Sequence, residues 1–259
     1  MSVGEPIIRV ENFTAAYEGN VVIDDINFSI NRGEVFVILG GSGCGKTTLL
    51  KHIIGLYKPA AGRILIEGQD IATARGEEMK HILRRLGVMY QSGALFGSMT
   101  LLENVLLPLK EFTELPPRAM DLIARMKLQL VDLAGFETFL DSEISGGMRK
   151  RAAIARAMAL DPPILCLDEP SAGLDPITSA GLDQLILRLS KSLGITFVVV
   201  THELPSIYSI ADRVIMLDKR AKNIVAEGDP RELRDHSDNP WVRQFFHREA
   251  MTAGEQEAS

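Results

Sequence analysis

The stretch GGSGCGKT, Gly40 to Thr47, has the residue types and spacing of a phosphate cradle. It lies between the apolar run VFVIL and the helix-like stretch TTLLKHIIGL. The pattern GxxxxGK(S/T) carries meaning in that strand, loop, helix setting. Its glycines let backbone N–H groups turn inward around phosphate oxygens, Lys46 reaches the terminal phosphates, and the Thr47 hydroxyl can ligate Mg²⁺. The positive end of the following helix favours the same anion. Gly40, Gly41, Ser42, Gly43, Cys44, Gly45, Lys46, Thr47 and Thr48 therefore form the candidate nucleotide-binding set. A glycine-rich turn with an incidental lysine would lack those flanking elements.

Three further stretches offer groups that act on a bound triphosphate. In ILCLDE, Asp168 can hold Mg²⁺ through water, while Glu169, pointing the other way, can orient or deprotonate a water that attacks the γ-phosphate. Capping the element that starts at Pro170 is the other use for an acidic pair, but two carboxylates beside four apolar neighbours are costly without a cation. His202 closes ITFVVVTH, where it can donate a hydrogen bond to the γ-phosphate; His52, His81, His236 and His247 have no such placement and receive no role. Ser145, Gly146 and Gly147 open an alanine- and arginine-rich helix and make a second anion-binding helix start. Taken alone, SGG is also a plain helix cap. Two phosphate-gripping helix ends in one chain suggest that the second grips the nucleotide of another subunit.

The elements that must position these residues can be read from hydrophobic patterning. VFVILG, LGVMYQ, ILCLDE and ITFVVVTH lack alternation, as strands buried on both faces do, and helical segments lie between them. This predicts an α/β core with a parallel sheet, whose ligands bind beyond the carboxyl ends of the strands. Each of the four runs ends in a residue capable of chemistry, Gln91 included. The N-terminal part alternates apolar and polar residues and breaks at Gly19 with Asn20 and at Arg32 with Gly33; with GRILIEGQD it predicts a small antiparallel sheet. From Thr100 to Leu160 the chain reads as helical, with a new helix at Pro116 and Pro117. A short helix, DPRELR, follows Asp229. In the tail, Asn239 caps and Pro240 starts a helix that carries Trp241 with Phe245 and Val242 with Phe246 at four-residue spacing, and the last residues read as disordered. That helix either packs on its own domain or grips a partner.

Composition narrows the partners. A net charge of −6 and a pI near 5.5 argue against a nucleic-acid binder, which needs a basic face. No apolar run approaches the roughly 20 residues that cross a bilayer, and MSVGEPIIRV lacks a basic region followed by an apolar block. The expectation is a cytoplasmic protein. Cys44 and Cys166 stand in separate motifs and imply no disulfide framework.

The phosphate loop, Gln91, SGGM with its arginine-rich helix, LCLDEP, SAGLDP and VVVTHE stand in the order and spacing of ATP-binding-cassette (ABC) ATPases, and over residues 7 to 230 the chain resembles that family. The resemblance implies a P-loop NTPase with a parallel RecA-like core, an N-terminal antiparallel β-subdomain and a helical subdomain at about 92–160. The ATPase domain would span 7–235, followed by a short helix and tail over 236–259. It implies that Tyr17 stacks on adenine and that Gln91 meets Mg²⁺ and the attacking water. Thr47 and Asp168 would also serve the metal, and Glu169 and His202 catalysis. Ser145, Gly146 and Gly147 would cover the γ-phosphate of the opposing subunit, and Asp175 would lie at the dimer seam. Ile144 and Met148 depart from the usual Leu and Gln without removing a serine or backbone contact.

Within the family, QSGALF (91 to 96), ENVLLPL, TELP, SGGMRKRAAIARAMALDP, GLDPIT, SIADR and NPWVRQF resemble the ATPases of Mla and other MCE-type lipid transport systems, although SAGLDP replaces their frequent FVGQDP. This likeness implies a homodimer beneath a transmembrane permease at the cytoplasmic face of a bacterial inner membrane, an MCE-domain partner, and lipid, chiefly phospholipid, as cargo. Ala94, Leu95 and Phe96 would line the permease contact, or else Leu95 and Phe96 pack into the helical subdomain. Two other readings are a soluble ATPase of the iron–sulfur assembly type and a transporter for a non-lipid cargo.

Overall fold

The computed structural model describes residues 6–248. The expected disorder at the end of the tail concerns residues outside that range. Strands β1 (Pro6–Tyr17) and β2 (Asn20–Asn31) form a hairpin through Glu18 and Gly19, both with positive φ. With β4 (Ala61–Ile66) and β5 (Gln69–Asp70) they make an antiparallel sheet in the order β2-β1-β4-β5. Alternation along β1 is imperfect because its register to β2 shifts between Val10 and Phe13, where Asn12 adopts a left-handed φ and its N–H donates to Asn27 Oδ1.

The four non-alternating runs are strands β3 (Val35–Gly40), β6 (Leu86–Met89), β7 (Ile164–Asp168) and β8 (Thr196–Val200). They pair in parallel, as expected, in a six-stranded sheet ordered β10-β9-β3-β8-β7-β6. Two members were not anticipated: β9 (Arg213–Asp218), parallel to β3, and β10 (Asn223–Gly228), antiparallel at the edge. RVIMLD is an apolar run of the same kind as the other four. β6 ends at Met89 rather than reaching Gln91, since the outermost strand has a partner on one side only.

Residues of the parallel sheet alternate between two cores. Phe36, Ile38, Cys166, Val198 and Ile215 face the antiparallel sheet and α1 (Lys46–Ile53). Val37, Leu39, Leu165, Phe197, Val199 and Met216 face the helices. α2 (Gly76–Arg84) leads into β6. α3 (Leu101–Phe112), with a Thr100–Glu103 capping box, α4 (Pro117–Leu130) and α5 (Gly146–Ala157) follow. α4 begins at the two prolines as expected, with Pro116 as its N-cap. α6 (Pro176–Leu193) and α7 (Leu204–Ile210) flank β8, and α8 (Pro230–His236) and α9 (Pro240–His247) close the described chain.

The last helix packs on its own domain. Val242 and Phe246 are buried in the helix-side core, and each such side chain contributes about 1.5–3 kcal/mol. Asn239 accepts from Trp241 N at 3.0 Å and Pro240 holds the first turn, as their types predict.

Candidate nucleotide site

The phosphate loop leaves β3 at Gly40 and enters α1 at Lys46. Gly40 has φ 145°, and a Cβ there would lie 2.3 Å from the Leu217 carbonyl oxygen, so only glycine fits this exit from the sheet. Lys46 Nζ donates to the carbonyl oxygens of Gly40 and Gly41 at 2.9 and 3.0 Å, spanning its own loop. The loop borders a cleft of about 650 Å³ lined by Gly40, Gly41, Ser42, Gly43, Gly45, Lys46, Thr47, Thr48, Gln91, Glu169 and His202, with Val22 and Phe245 at its apolar side. Cys44 does not line it. Its thiol is buried beneath Gly40 and pushed up by that burial, leaving only the Cys44 backbone for an anion.

Gln91, Glu169 and His202 meet in this cleft, yet none of them belongs to a strand. β6, β7 and β8 end at Met89, Asp168 and Val200, and the three residues follow by one or two positions. Strand side chains are committed alternately to two packed faces, whereas a residue past the strand end can turn into the cleft. Glu169 makes its turn in the left-handed region, at φ 46°, with its N–H donating to the Val200 carbonyl at 2.8 Å. Its Oε1 lies 2.8 Å from His202 Nδ1, and its Oε2 is buried without a hydrogen-bond partner. The His202 ring is largely exposed, and its Nε2 lies 3.6 Å from Glu203 Oε1. Thr47 Oγ1 donates to Asp168 Oδ1 at 3.2 Å; burial raises the Asp168 carboxyl above its ordinary range, against the opposing pull of that bond and of Lys51 and Lys46.

The other expected contacts lie apart from the cleft. Tyr17, at the end of β1, packs edge-on against Tyr57, with ring centroids 5.7 Å apart, and against His52. His52 itself, to which the sequence assigned nothing, is buried with Nδ1 2.8 Å from the Thr48 carbonyl, a scaffold between α1 and the β-subdomain rings. Ser145 is the N-cap of α5, accepting from Met148 N at 3.2 Å, and Asp175 is the N-cap of α6, accepting from Ile177 N and Thr178 N at 3.0 and 3.1 Å. A bond from the Thr178 hydroxyl, with those from the backbone, holds the Asp175 carboxyl below its usual range. The two caps are neighbours: a Cβ on Gly147 would meet Thr178 Cγ2 at 2.4 Å, and Gly146 faces Leu174. SGG and SAGLDP thus form one surface patch, which also carries Ile177 at 85% exposure.

Of the three residues expected at a permease, the structure separates two kinds. Leu95 is half-buried against the helix-side core, as the packing alternative had it. Ala94, with φ 49°, and Phe96, 50% exposed, face outward. Buried Asn104 pins Phe96 by accepting from its N–H at 2.8 Å and donating to its carbonyl at 3.2 Å. In the sequence Asn104 stood out only as part of ENVLLPL, with no sign of this role.

Phe245 at the cleft wall and Trp241 were likewise placed by tertiary packing alone. A Cβ added to Gly41 would lie 3.8 Å from Trp241 Cζ2, so α9 rests its indole against the phosphate loop. Trp241 is the one tryptophan in the sequence. Titration with ATP is therefore expected to give a saturable change in tryptophan emission. Flat emission, with ATP binding shown independently by equilibrium dialysis, would contradict this placement.

The family model "ABC transporter" matches residues 23–172. The chain is 43% identical over 226 residues to the "Intermembrane phospholipid transport system ATP-binding protein MlaF" of Escherichia coli K12, covering 87% of this chain and 82% of that protein. It is also 43% identical over 240 residues to the "Probable ribonucleotide transport ATP-binding protein mkl" of Mycobacterium leprae, covering 93% of this chain and 68%, about two thirds, of that one. The solved dimer of the ATP-binding cassette MJ0796 in a post-hydrolysis state with ADP and Pi superposes with a TM-score of 0.77 at 31% identity, covering 86% of this chain and 98% of MJ0796. With the family match spanning the phosphate loop, Gln91, Ser145 and Glu169, and with this identity over most of the chain, the protein is an ATPase of the ABC transporter family.

Proposed function

We propose that this chain powers phospholipid transport across a bacterial envelope, as a head-to-tail homodimer bound beneath a membrane permease that works with an MCE-domain protein. The observation that carries this reading is the 43% identity to MlaF over most of both chains. A working place at the cytoplasmic face of the inner membrane accords with it. Among the described residues no helix is long and apolar enough to cross a membrane. The iron–sulfur assembly reading gains no support from the comparisons. The name of the mkl protein points to ribonucleotide as its own cargo. Cargo specificity lies in the permease and its associates, and the transport assay below separates the two.

The geometry suggests a division of labour in the cleft. Backbone N–H groups of the loop and Lys46 hold the phosphates, and Val22 and Phe245 offer apolar walls. To Tyr17, packed edge-on against Tyr57 outside the phosphate cleft, we assign the adenine. Glu169 Oε2, buried and unpaired, is the acceptor for a water; the water oxygen bonds the γ-phosphorus as the bond to the β–γ bridging oxygen breaks, ADP leaves, and Glu169 takes the proton. His202 holds Oε1 and orients the carboxylate toward that water. Thr47 and Gln91 line the cleft and Asp168 is bonded to Thr47; these are hard oxygen donors, a small set of the kind Mg²⁺ uses when phosphates and waters complete its shell. Bound there, Mg²⁺ would neutralise charge on the β- and γ-phosphates.

Ser145 and Asp175 lie together on a patch apart from the cleft, which suits a site completed by the partner protomer's α5. We keep residues at about 92–160 as the helical subdomain that carries Ser145 and the permease contact. Phe96 is the side chain best placed for that contact. Phe96→Asp should preserve folding, since Asn104 holds the backbone here, and should preserve ATP hydrolysis by the isolated chain. It should cut transfer of labelled phospholipid between membranes by the reconstituted complex severalfold. Unchanged lipid transfer would remove Phe96 from the contact. A wild-type complex that moved ribonucleotide and no lipid would overturn the cargo.

A further inference from the structure

α5 carries more than the helix start at Ser145. Lys150, one turn along and 6% exposed, lies among Ala152, Ala153 and Ile154 in the helix-side core, where an ammonium group is costly. Burial pulls its pKa below the ordinary lysine value, with the charges of Glu169 and Asp168 drawing it back. Among the described residues no carboxylate bonds it. Its Nζ donates instead to two backbone carbonyls, that of Gln91 and, at 3.2 Å, that of Glu169.

These carbonyls belong to the two loops that leave the neighbouring parallel strands β6 and β7, whose ladder stops at the pair Met89 and Leu167. Beyond that pair, Lys150 is the cross-link that continues the pairing. Glu169 needs one. Its left-handed backbone costs about 1–2 kcal/mol, and its Oε2 is buried without a hydrogen-bond partner, so the carboxylate direction depends on what fixes the peptide. Further along the same helix, Arg156 donates to the carbonyls of Gly93 and Ala94 at 3.0 and 2.7 Å. One helix thus holds the whole turn after β6 and the residue after β7.

We infer that Lys150 is a positioning residue for hydrolysis, a buried cation that sets the Gln91 and Glu169 loops in fixed relation by bonding both carbonyls. The inference rests on the proposed roles of Gln91 and Glu169. Because α5 begins at Ser145, any displacement of that exposed helix start is carried by Lys150 to both loops at once. Lys150 does not line the cleft, so its loss should affect the chemical step and spare binding.

The test compares Lys150→Met, Lys150→Gln and Lys150→Arg in the full chain, with ATP binding, KM, kcat and melting temperature measured for each. A loosened general base costs on the order of 10- to 100-fold in rate. Lys150→Met should show that loss in kcat with KM and ATP affinity within about threefold of wild type. Lys150→Arg, which keeps the charge and donors, should recover much of the rate. Lys150→Gln, which can still donate to one carbonyl, should fall between and serves if the methionine variant does not fold. A folded Lys150→Met or Lys150→Gln with wild-type kcat overturns the inference, as does a loss shared equally by affinity, kcat and melting temperature that arginine does not rescue. Glu169→Gln separates the two failures. If that variant turns over normally, the reading of the site itself falls; if it is slow while Lys150→Met is fast, the lysine alone is misassigned.

Discussion

Glu169→Gln is expected to bind ATP as the wild type does and to hydrolyse it about 10²–10⁴-fold more slowly, the usual contribution of a positioned base. Glutamine matches glutamate in shape, so the left-handed backbone and the core contact below it persist. Its amide oxygen can still accept from His202 Nδ1, now 2.8 Å from Glu169 Oε1. What disappears is a negative charge and a proton acceptor at Oε2, the oxygen that is buried and unpaired. Binding therefore survives while attack on the γ-phosphorus stalls. If closure of the dimer depends on the γ-phosphate, the stalled variant must accumulate as an ATP-bound dimer, which size-exclusion chromatography with and without ATP detects. Turnover within a few fold of wild type would assign the base elsewhere. A slow variant that stays monomeric with ATP would leave the base in place and break the link between γ-phosphate and closure.

Much of this site could be read before the fold was known, because its signals are local. A glycine-rich loop between a buried strand and a helix needs no distant partner to be recognised, and the same holds for Asn239 with Pro240 or Pro116 with Pro117, whose structural roles are set within a turn. Legibility ends where packing decides. Lys150 stands in MRKR, a run that reads as a solvated basic face, and nothing local distinguishes the one member turned inward. Trp241 lies about 200 residues from the glycine it covers, and its spacing with Phe245 shows a shared helix face but not what that face touches. RVIMLD has the composition of a buried strand, yet its place beside β3 follows from sheet order rather than from the run itself. The chemistry residues beyond the strand ends were misplaced by one or two positions for a related reason: apolar patterning marks a core strand but not where its ladder stops.

The proposed sharing of each site between two chains makes a demand that one chain alone cannot meet, and it can be tested by mixing two inactive variants. Lys46→Ala removes the cation of the phosphate loop and frees the Gly40 and Gly41 carbonyls it now holds. Ser145→Asp keeps the helix cap, because aspartate accepts the Met148 N–H as readily as serine. It places a negative charge where the opposing γ-phosphate should approach, and like-charge contact at an interface costs several kcal/mol. Each variant alone should therefore fail to form an ATP-closed dimer, for both of its sites are damaged. In a head-to-tail heterodimer the two lesions fall in the same site, and the other site combines an intact Lys46 with an intact Ser145. With Glu169→Gln added to both chains to prevent turnover, the mixture is expected to close and hold one ATP per heterodimer. Such recovery requires that Ser145 of one chain serve the loop of the other. If the mixture is as inert as its components, or if Ser145→Asp alone closes normally, then SGG is only the cap that its backbone geometry already makes it, and each phosphate loop works without the opposing helix.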